Sequence, residues 1–295
     1  MDSDQLSRMA HGKGFVAALD QSGGSTPGAL TRYGIPPERY SGDVEMFELI
    51  HRFRTRIMTS PVFTGERILA AILFEQTMDR DLDGLGIPDY LWQRRQIVPV
   101  VKVDQGLADG ADGVRMMKPL TALDALLDRA VERHVFGTKM RSLVQAGNQA
   151  GIDAVLDQQF DVGGRILAAG LVPILEPEVD IKAPDKATAE AMVTAGILDR
   201  LPALPTGAKV MLKLTIPTEA DLYRELISHP AVLRVVALSG GYSREEANRL
   251  LATNPGLIAS FSRALTEGLA VDMSDAEFDA ALAASIDSIY AASTA

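Results

Sequence analysis

The chain has 295 residues, 47% of them hydrophobic and 23% charged, enough apolar material for a large core. Its net charge of -10 disfavours non-specific binding to nucleic acid or to an anionic membrane, so an anionic ligand would need a local cluster of basic groups. The absence of cysteine rules out disulfides, thiolate catalysis and cysteine-held metal, and the four scattered histidines include no pair at helical ligand spacing.

In chain order, Gly14 to Asp20 reads as a buried strand, followed by a glycine- and hydroxyl-rich loop through Pro27. No apolar run approaches the roughly 20 residues that cross a bilayer, and Met1 to Ala10 is too polar for a signal peptide. The expectation is a cytoplasmic protein. From Ser41 to Met58, Val44, Phe47, Ile50, Phe53 and Ile57 recur every three or four residues, which predicts an amphipathic helix. Arg67 to Phe74 is a second strand, Pro88 to Gln96 a short helical piece, and Val98 to Asp104 a third strand with Val98, Val100, Lys102 and Asp104 on one face.

Leu120 to His134 is helical by its leucine stripe, and Phe136 to Ser142 is a fourth strand with a weak signal of its own. A long helical segment from Gln145 to Ala169 leads into strand five, Leu171 to Glu178, on which Val172, Ile174, Glu176 and Glu178 share a face. Lys186 to Leu201 is helix. Strand six, Lys209 to Thr215, puts Lys209, Met211, Lys213 and Thr215 on one face, and a helix over Glu219 to Ser228 follows. Strand seven, Leu233 to Ser239, enters a Gly240-Gly241 turn, and Ser243-Arg-Glu-Glu246 has the pattern of a capping box. Gly256 to Arg263 is strand eight, and a last helix begins at Ser274.

Eight strand-like segments alternating with helices predict an α/β fold, one (β/α)8 TIM barrel over residues 1–295, with a doubly wound sheet as the alternative. In such a barrel the C-terminal strand ends form one rim, where active sites of this fold lie. Asp20, Lys102, Lys139, Glu176, Lys213, Ser239 and Arg263 would all face it. Any one of them has a structural explanation as a cap or an ion pair, but together they recur at one end of apolar strands. A lysine such as Lys213, in apolar surroundings, either snorkels to water or, desolvated beside other ammonium groups, is held as a nucleophile. The Ser239-Gly240-Gly241 turn before a capped helix can offer backbone amides to a phosphate, with Arg263 one strand over.

Ala18-Leu-Asp-Gln-Ser22, Val101-Lys-Val-Asp-Gln-Gly106, Lys139-Met-Arg141, Leu175-Glu-Pro-Glu178, Met211-Leu-Lys213, Leu238-Ser-Gly-Gly241 and Ser260-Phe-Ser-Arg-Ala-Leu265 resemble, in order, the motifs of class I fructose-bisphosphate aldolases. The resemblance implies cleavage of fructose 1,6-bisphosphate in glycolysis and gluconeogenesis, with no metal and no cofactor. It makes Lys213 the Schiff-base lysine, Glu176 the general acid/base, Asp20 the helper of proton transfer, and Lys139 their support. Lys102, Arg141, Ser22, Ser25, Ser239, Gly240, Gly241, Ser262 and Arg263 are then substrate-binding. Three departures stand out: Ser262 and Arg263 are adjacent where vertebrate members separate them by two residues, Gln21 stands where many members carry an acid, and the chain ends soon after Tyr290 without the longer tyrosine-ended tail that serves proton exchange in vertebrate members, a role Tyr290 is not expected to take over. The implied partner is a small sugar phosphate; oligomeric state is not legible. The competing expectations are another Schiff-base aldolase or transaldolase, and a silent barrel that only binds sugar phosphates or a protein partner.

Overall fold

Strands that are apolar on both faces are stable only where both faces are covered, and a parallel barrel sheathed in helices provides that cover. The computed structural model describes residues 2–295. Its barrel strands are β1 (Phe15–Leu19), β2 (Ile68–Leu73), β3 (Val98–Lys102), β4 (Gly137–Val144), β5 (Val172–Val179), β6 (Val210–Thr215), β7 (Val232–Leu238) and β8 (Ile258–Phe261). All pair in parallel, in the order β3-β2-β1-β8-β7-β6-β5-β4, and β3 pairs with β4 to close the ring. Val114–Arg115 adds an antiparallel piece beside β4, and Asp81–Leu82 pairs with Leu85–Gly86 as a separate hairpin.

Pro99, Pro173 and Pro177 lie within strands, and each leaves one ladder position without a backbone donor. Inside the ring, Val16, Ala18, Ala70, Ile72, Val98, Val100, Val172, Ile174, Met211, Val236 and Ile258 form one apolar cluster. A larger cluster, including Leu19, Leu73, Val101, Met140, Leu175, Leu212 and Leu214, fills the layer between ring and helices. Each such buried side chain contributes about 1.5 to 3 kcal/mol.

The helix Ser3–His11 was not foreseen. Asp2 caps it by accepting from Asp4 N and Gln5 N, and its narrow apolar edge, Leu6 and Met9, packs onto the inner cluster at the N-terminal end of the barrel. Arg234, near the start of β7, donates to the carbonyls of Met9, Ala10 and Gly12, where the helix leaves acceptors free.

Other boundaries moved for local reasons. The long helix is Gly42–Thr59, but Val44 is 82% exposed and the buried stripe starts at Met46. The segment around Glu219 is mostly turn, with helix only over Arg224–Ser228. Strand eight stops at Phe261, because Arg263 already opens the short helix Arg263–Thr266. The weakest strand signal, at residues 136–142, belongs to one of the two longest strands. Ser274 and Glu277 form a complete capping box, whereas at Ser243 only half forms: Glu246 N donates to Ser243 Oγ, and the Glu246 carboxylate turns to Arg249.

Candidate active site

Along most barrel strands the inward face changes from apolar to polar as it reaches the C-terminal rim. Val16 and Ala18 give way to Asp20, Val98 and Val100 to Lys102, Ile174 to Glu176, Met211 to Lys213 and Ile258 to Ser260. The period of two thus builds an apolar floor with a charged layer above it. A cavity of about 1190 Å³ opens over this layer. Asp20, Ser22, Ser25, Lys102, Lys139, Arg141, Glu176, Lys213, Ser239, Gly240, Ser262 and Arg263 all line it. Gly241 does not. It lies behind Arg263, where a Cβ would stand 3.4 Å from a terminal guanidinium nitrogen.

The charged layer is an alternation of three ammonium groups and three carboxylates, all nearly excluded from solvent. Lys213 Nζ is 3.0 Å from Glu176 Oε1, and Lys139 Nζ is 3.1 Å from Glu176 Oε2. Lys139 also lies 2.5 Å from Asp20 Oδ2 and 4.0 Å from Asp104 Oδ2. Asp104 Oδ1 in turn holds Lys102 Nζ at 2.7 Å. Burial would raise the Asp20 carboxyl, but the charges of Lys139, Lys213 and Lys102 outweigh it and hold Asp20 well below the usual carboxylate range. Burial would likewise lower Lys139, and the attraction of Asp20, Glu176 and Asp104 overrides it and raises the ammonium far above its ordinary value. Lys139 is therefore a fixed cation at the centre of three acids. Among the described residues no group of three or more acids or histidines is arranged around space for a metal ion.

Arg141, two residues along β4 from Lys139, lines the cavity and is paired with Glu178 Oε2 at 2.5 Å. Its backbone N–H donates to Asp104 Oδ2. Ser25 Oγ accepts from Ser22 N and donates to Ser22 O, a local turn that shapes the glycine loop. At the other side, Gly240 and Gly241 have φ of 59° and 123°, conformations that glycine adopts without strain, and Tyr242 N closes the turn onto Ser239 O.

Several supporting residues were missed because they are polar groups on buried helix faces. Arg54, 2% exposed, donates to Gln21 Oε1, to the Gln21 carbonyl and to Thr77 Oγ1, and Gln21 Nε2 donates to Ser262 Oγ at 2.9 Å. Asp20, Gln21 and Ser262, at the ends of two adjacent strands, are thus braced from behind. Gln159 does the same for β4 and β5: it donates to Ser142 Oγ and to the Met140 carbonyl, and accepts from Glu176 N. The one available signal was position, since Arg54 lies four residues after the buried Ile50. Tyr290 lies near Arg67, which precedes β2 and so marks the opposite end of the barrel from the site.

The family model of class-I fructose-bisphosphate aldolases (glycolytic) matches residues 7–216, a span that takes in Asp20 through Lys213 and stops before Ser239. The class 1 fructose-bisphosphate aldolase of Synechocystis sp. is 59% identical over 292 residues, covering 99% of this chain and 97% of that protein. A Plasmodium falciparum fructose-bisphosphate aldolase, solved in a ternary co-crystal, superposes with a TM-score of 0.74 at 23% identity, over 99% of this chain and 96% of that one. At that identity the solved structure speaks for the barrel alone.

Proposed function

The chain belongs to the class I fructose-bisphosphate aldolase family, and from that membership we propose a role for each buried charge at its rim. The reaction is the reversible cleavage of fructose 1,6-bisphosphate to dihydroxyacetone phosphate and glyceraldehyde 3-phosphate through a Schiff base, a step of glycolysis.

Lys213 attacks the C2 carbonyl. Glu176, 3.0 Å from its nitrogen, takes the ammonium proton that Lys213 loses before it attacks and gives that proton to the departing carbinolamine oxygen, and water leaves as the iminium forms. The iminium draws in the electron pair of the C3–C4 bond as that bond breaks, leaving an enamine on the dihydroxyacetone half. The proton of the C4 hydroxyl passes to Asp20, which is ionised at neutral pH, and the aldehyde is released. Protonation at C3 and hydrolysis of the imine return Lys213.

Lys139 holds Glu176 and Asp20 in place between the two proton transfers, while Lys102, with one ammonium hydrogen beyond those committed to Asp104, binds substrate hydroxyls. Arg141 and Ser262 complete the wall. Ser239, Gly240 and Arg263 form one phosphate clamp, with Gly241 behind Arg263 rather than in the cavity wall, and Ser22 and Ser25 approach the other phosphate. The net charge of -10 argues against a nucleic-acid or anionic-membrane partner, the basic cluster of Lys102, Lys139, Arg141, Lys213 and Arg263 around the cavity supports a small sugar phosphate as the ligand, and the glycolytic family supports a cytoplasmic setting. No helix among the described residues is long and apolar enough to cross a membrane.

The observation that carries this reading is the single carboxylate of Glu176 placed against the one lysine that matches the family's nucleophile. Incubation with dihydroxyacetone phosphate and borohydride should fix the ligand's mass on the peptide containing Lys213, and Lys213→Met should abolish both label and triose phosphate release. A label on Lys102 or Lys139 would place the nucleophile on another strand.

A further inference from the structure

Arg32 ends the helix Thr26–Arg32 and lines the cavity mouth beside the Ser22–Ser25 loop. Arg263, at the start of the helix after β8, lines the same mouth. Each guanidinium lies over bare backbone: a Cβ on Gly28 would stand 3.4 Å from a terminal nitrogen of Arg32, and one on Gly241 3.4 Å from a terminal nitrogen of Arg263.

Other arginines of this chain, such as Arg80 with Glu48, Arg165 with Asp124 and Arg200 with Asp157, have a carboxylate partner. Among the described residues neither Arg32 nor Arg263 has one. Partial burial and then the charge of Arg263 lower the Arg32 guanidinium from its ordinary value, so the two cations stand within each other's field. Like charges on one cavity wall, neither of them ion-paired, are relieved by an anion that both can bind.

We propose that Arg32 is a second phosphate-binding residue, sharing with Arg263 the oxygens of one substrate phosphate. This rests on the reading of Arg263 as the arm of the phosphate clamp. A phosphate monoester offers three terminal oxygens, enough for two guanidiniums beside the Ser239 hydroxyl and the glycine amides. The recognised class is a dianionic phosphate ester, favoured over an uncharged sugar.

The test compares Arg32→Ala, Arg32→Lys, Arg263→Ala and the double variant, with fructose 1,6-bisphosphate as substrate and inorganic phosphate as inhibitor and thermal stabiliser. Without phosphate, Arg32→Ala should melt no lower than the parent, since it loses no protein partner. Its KM and its phosphate inhibition constant should each rise roughly tenfold, with little change in kcat and partial recovery in Arg32→Lys. The double variant should lose less than the product of the single losses, because both residues hold one group. Unchanged phosphate inhibition in Arg32→Ala alongside weakened inhibition in Arg263→Ala would overturn the role of Arg32 and leave the clamp standing. No change in either variant would overturn the clamp itself, and losses that multiply independently would overturn the shared phosphate.

Discussion

Glu176 and Lys213 meet across the neighbouring strands β5 and β6, and the second oxygen of the same carboxylate is held by Lys139. One acid therefore orients the proposed nucleophile and is itself oriented by a fixed cation. Glu176→Gln keeps the shape and loses the proton. Single-turnover assays should show imine formation slowed by roughly 10²- to 10⁴-fold, with the borohydride label still reaching Lys213 on long incubation. A variant with parental kcat would show that another group carries the proton.

Replacing Lys139 should reverse the acid side of the stability profile. In the parent, the depressed Asp20 contributes stability that is fully present above its unfolded pKa of about 3.9 and is lost as pH falls below that towards its native value. The raised Lys139 contributes stability that is fully present below its unfolded pKa of about 10.4 and is lost as pH rises from there towards its native value. Lys139→Met leaves Asp20, Glu176 and Asp104 converging without their central cation, at a cost of roughly 3 to 5 kcal/mol at neutral pH. The acids should then take up protons more readily, so this variant should gain stability from pH 7 to pH 5 where the parent does not. Melting curves across that range decide it.

Arg54 is a buried cation with no carboxylate partner among the described residues, and burial lowers it to about 10 despite the opposing charge of Asp20. Arg54→Met strips the donors from the Gln21 carbonyl and from Thr77, each left unpaired in the interior. Urea denaturation should show a loss of roughly 2 kcal/mol. Because Gln21 tethers Ser262 and follows Asp20, kcat should fall more than KM rises. Arg54→Lys should rescue only part of the loss, since one ammonium does not reproduce the guanidinium's spread of donors.

Because the iminium supplies the electron sink that a metal would otherwise provide, cleavage should be unaffected by EDTA. Activity lost to chelator and restored by zinc or cobalt would contradict this.

The barrel was legible because a strand buried on both faces is written as an unbroken apolar run, as in Phe15–Leu19 and Ile68–Leu73. The strand with the poorest signal, Gly137–Val144, is poor because its inward positions were given over to Lys139 and Arg141. The rim charges stood out against apolar neighbours. Arg54 and Gln159 did not, because a polar residue on a helix reads as solvated unless its face is known, and the exposed Val44 had drawn the predicted stripe slightly off its true line. The helix Ser3–His11 was hidden for a related reason: it presents little more than Leu6 and Met9 to the core, too few for a periodic signal.

That same short helix caps a ring whose inner cluster already fills it. With Leu6 and Met9 packed onto the barrel's inner cluster and Arg234 tying the end of the helix to β7, the bottom of the ring is shut, and substrate and both products use one doorway. In the proposed reaction cleavage leaves the dihydroxyacetone half tethered to Lys213 beneath that doorway, so glyceraldehyde 3-phosphate should depart first while the tethered half waits for its imine to be hydrolysed.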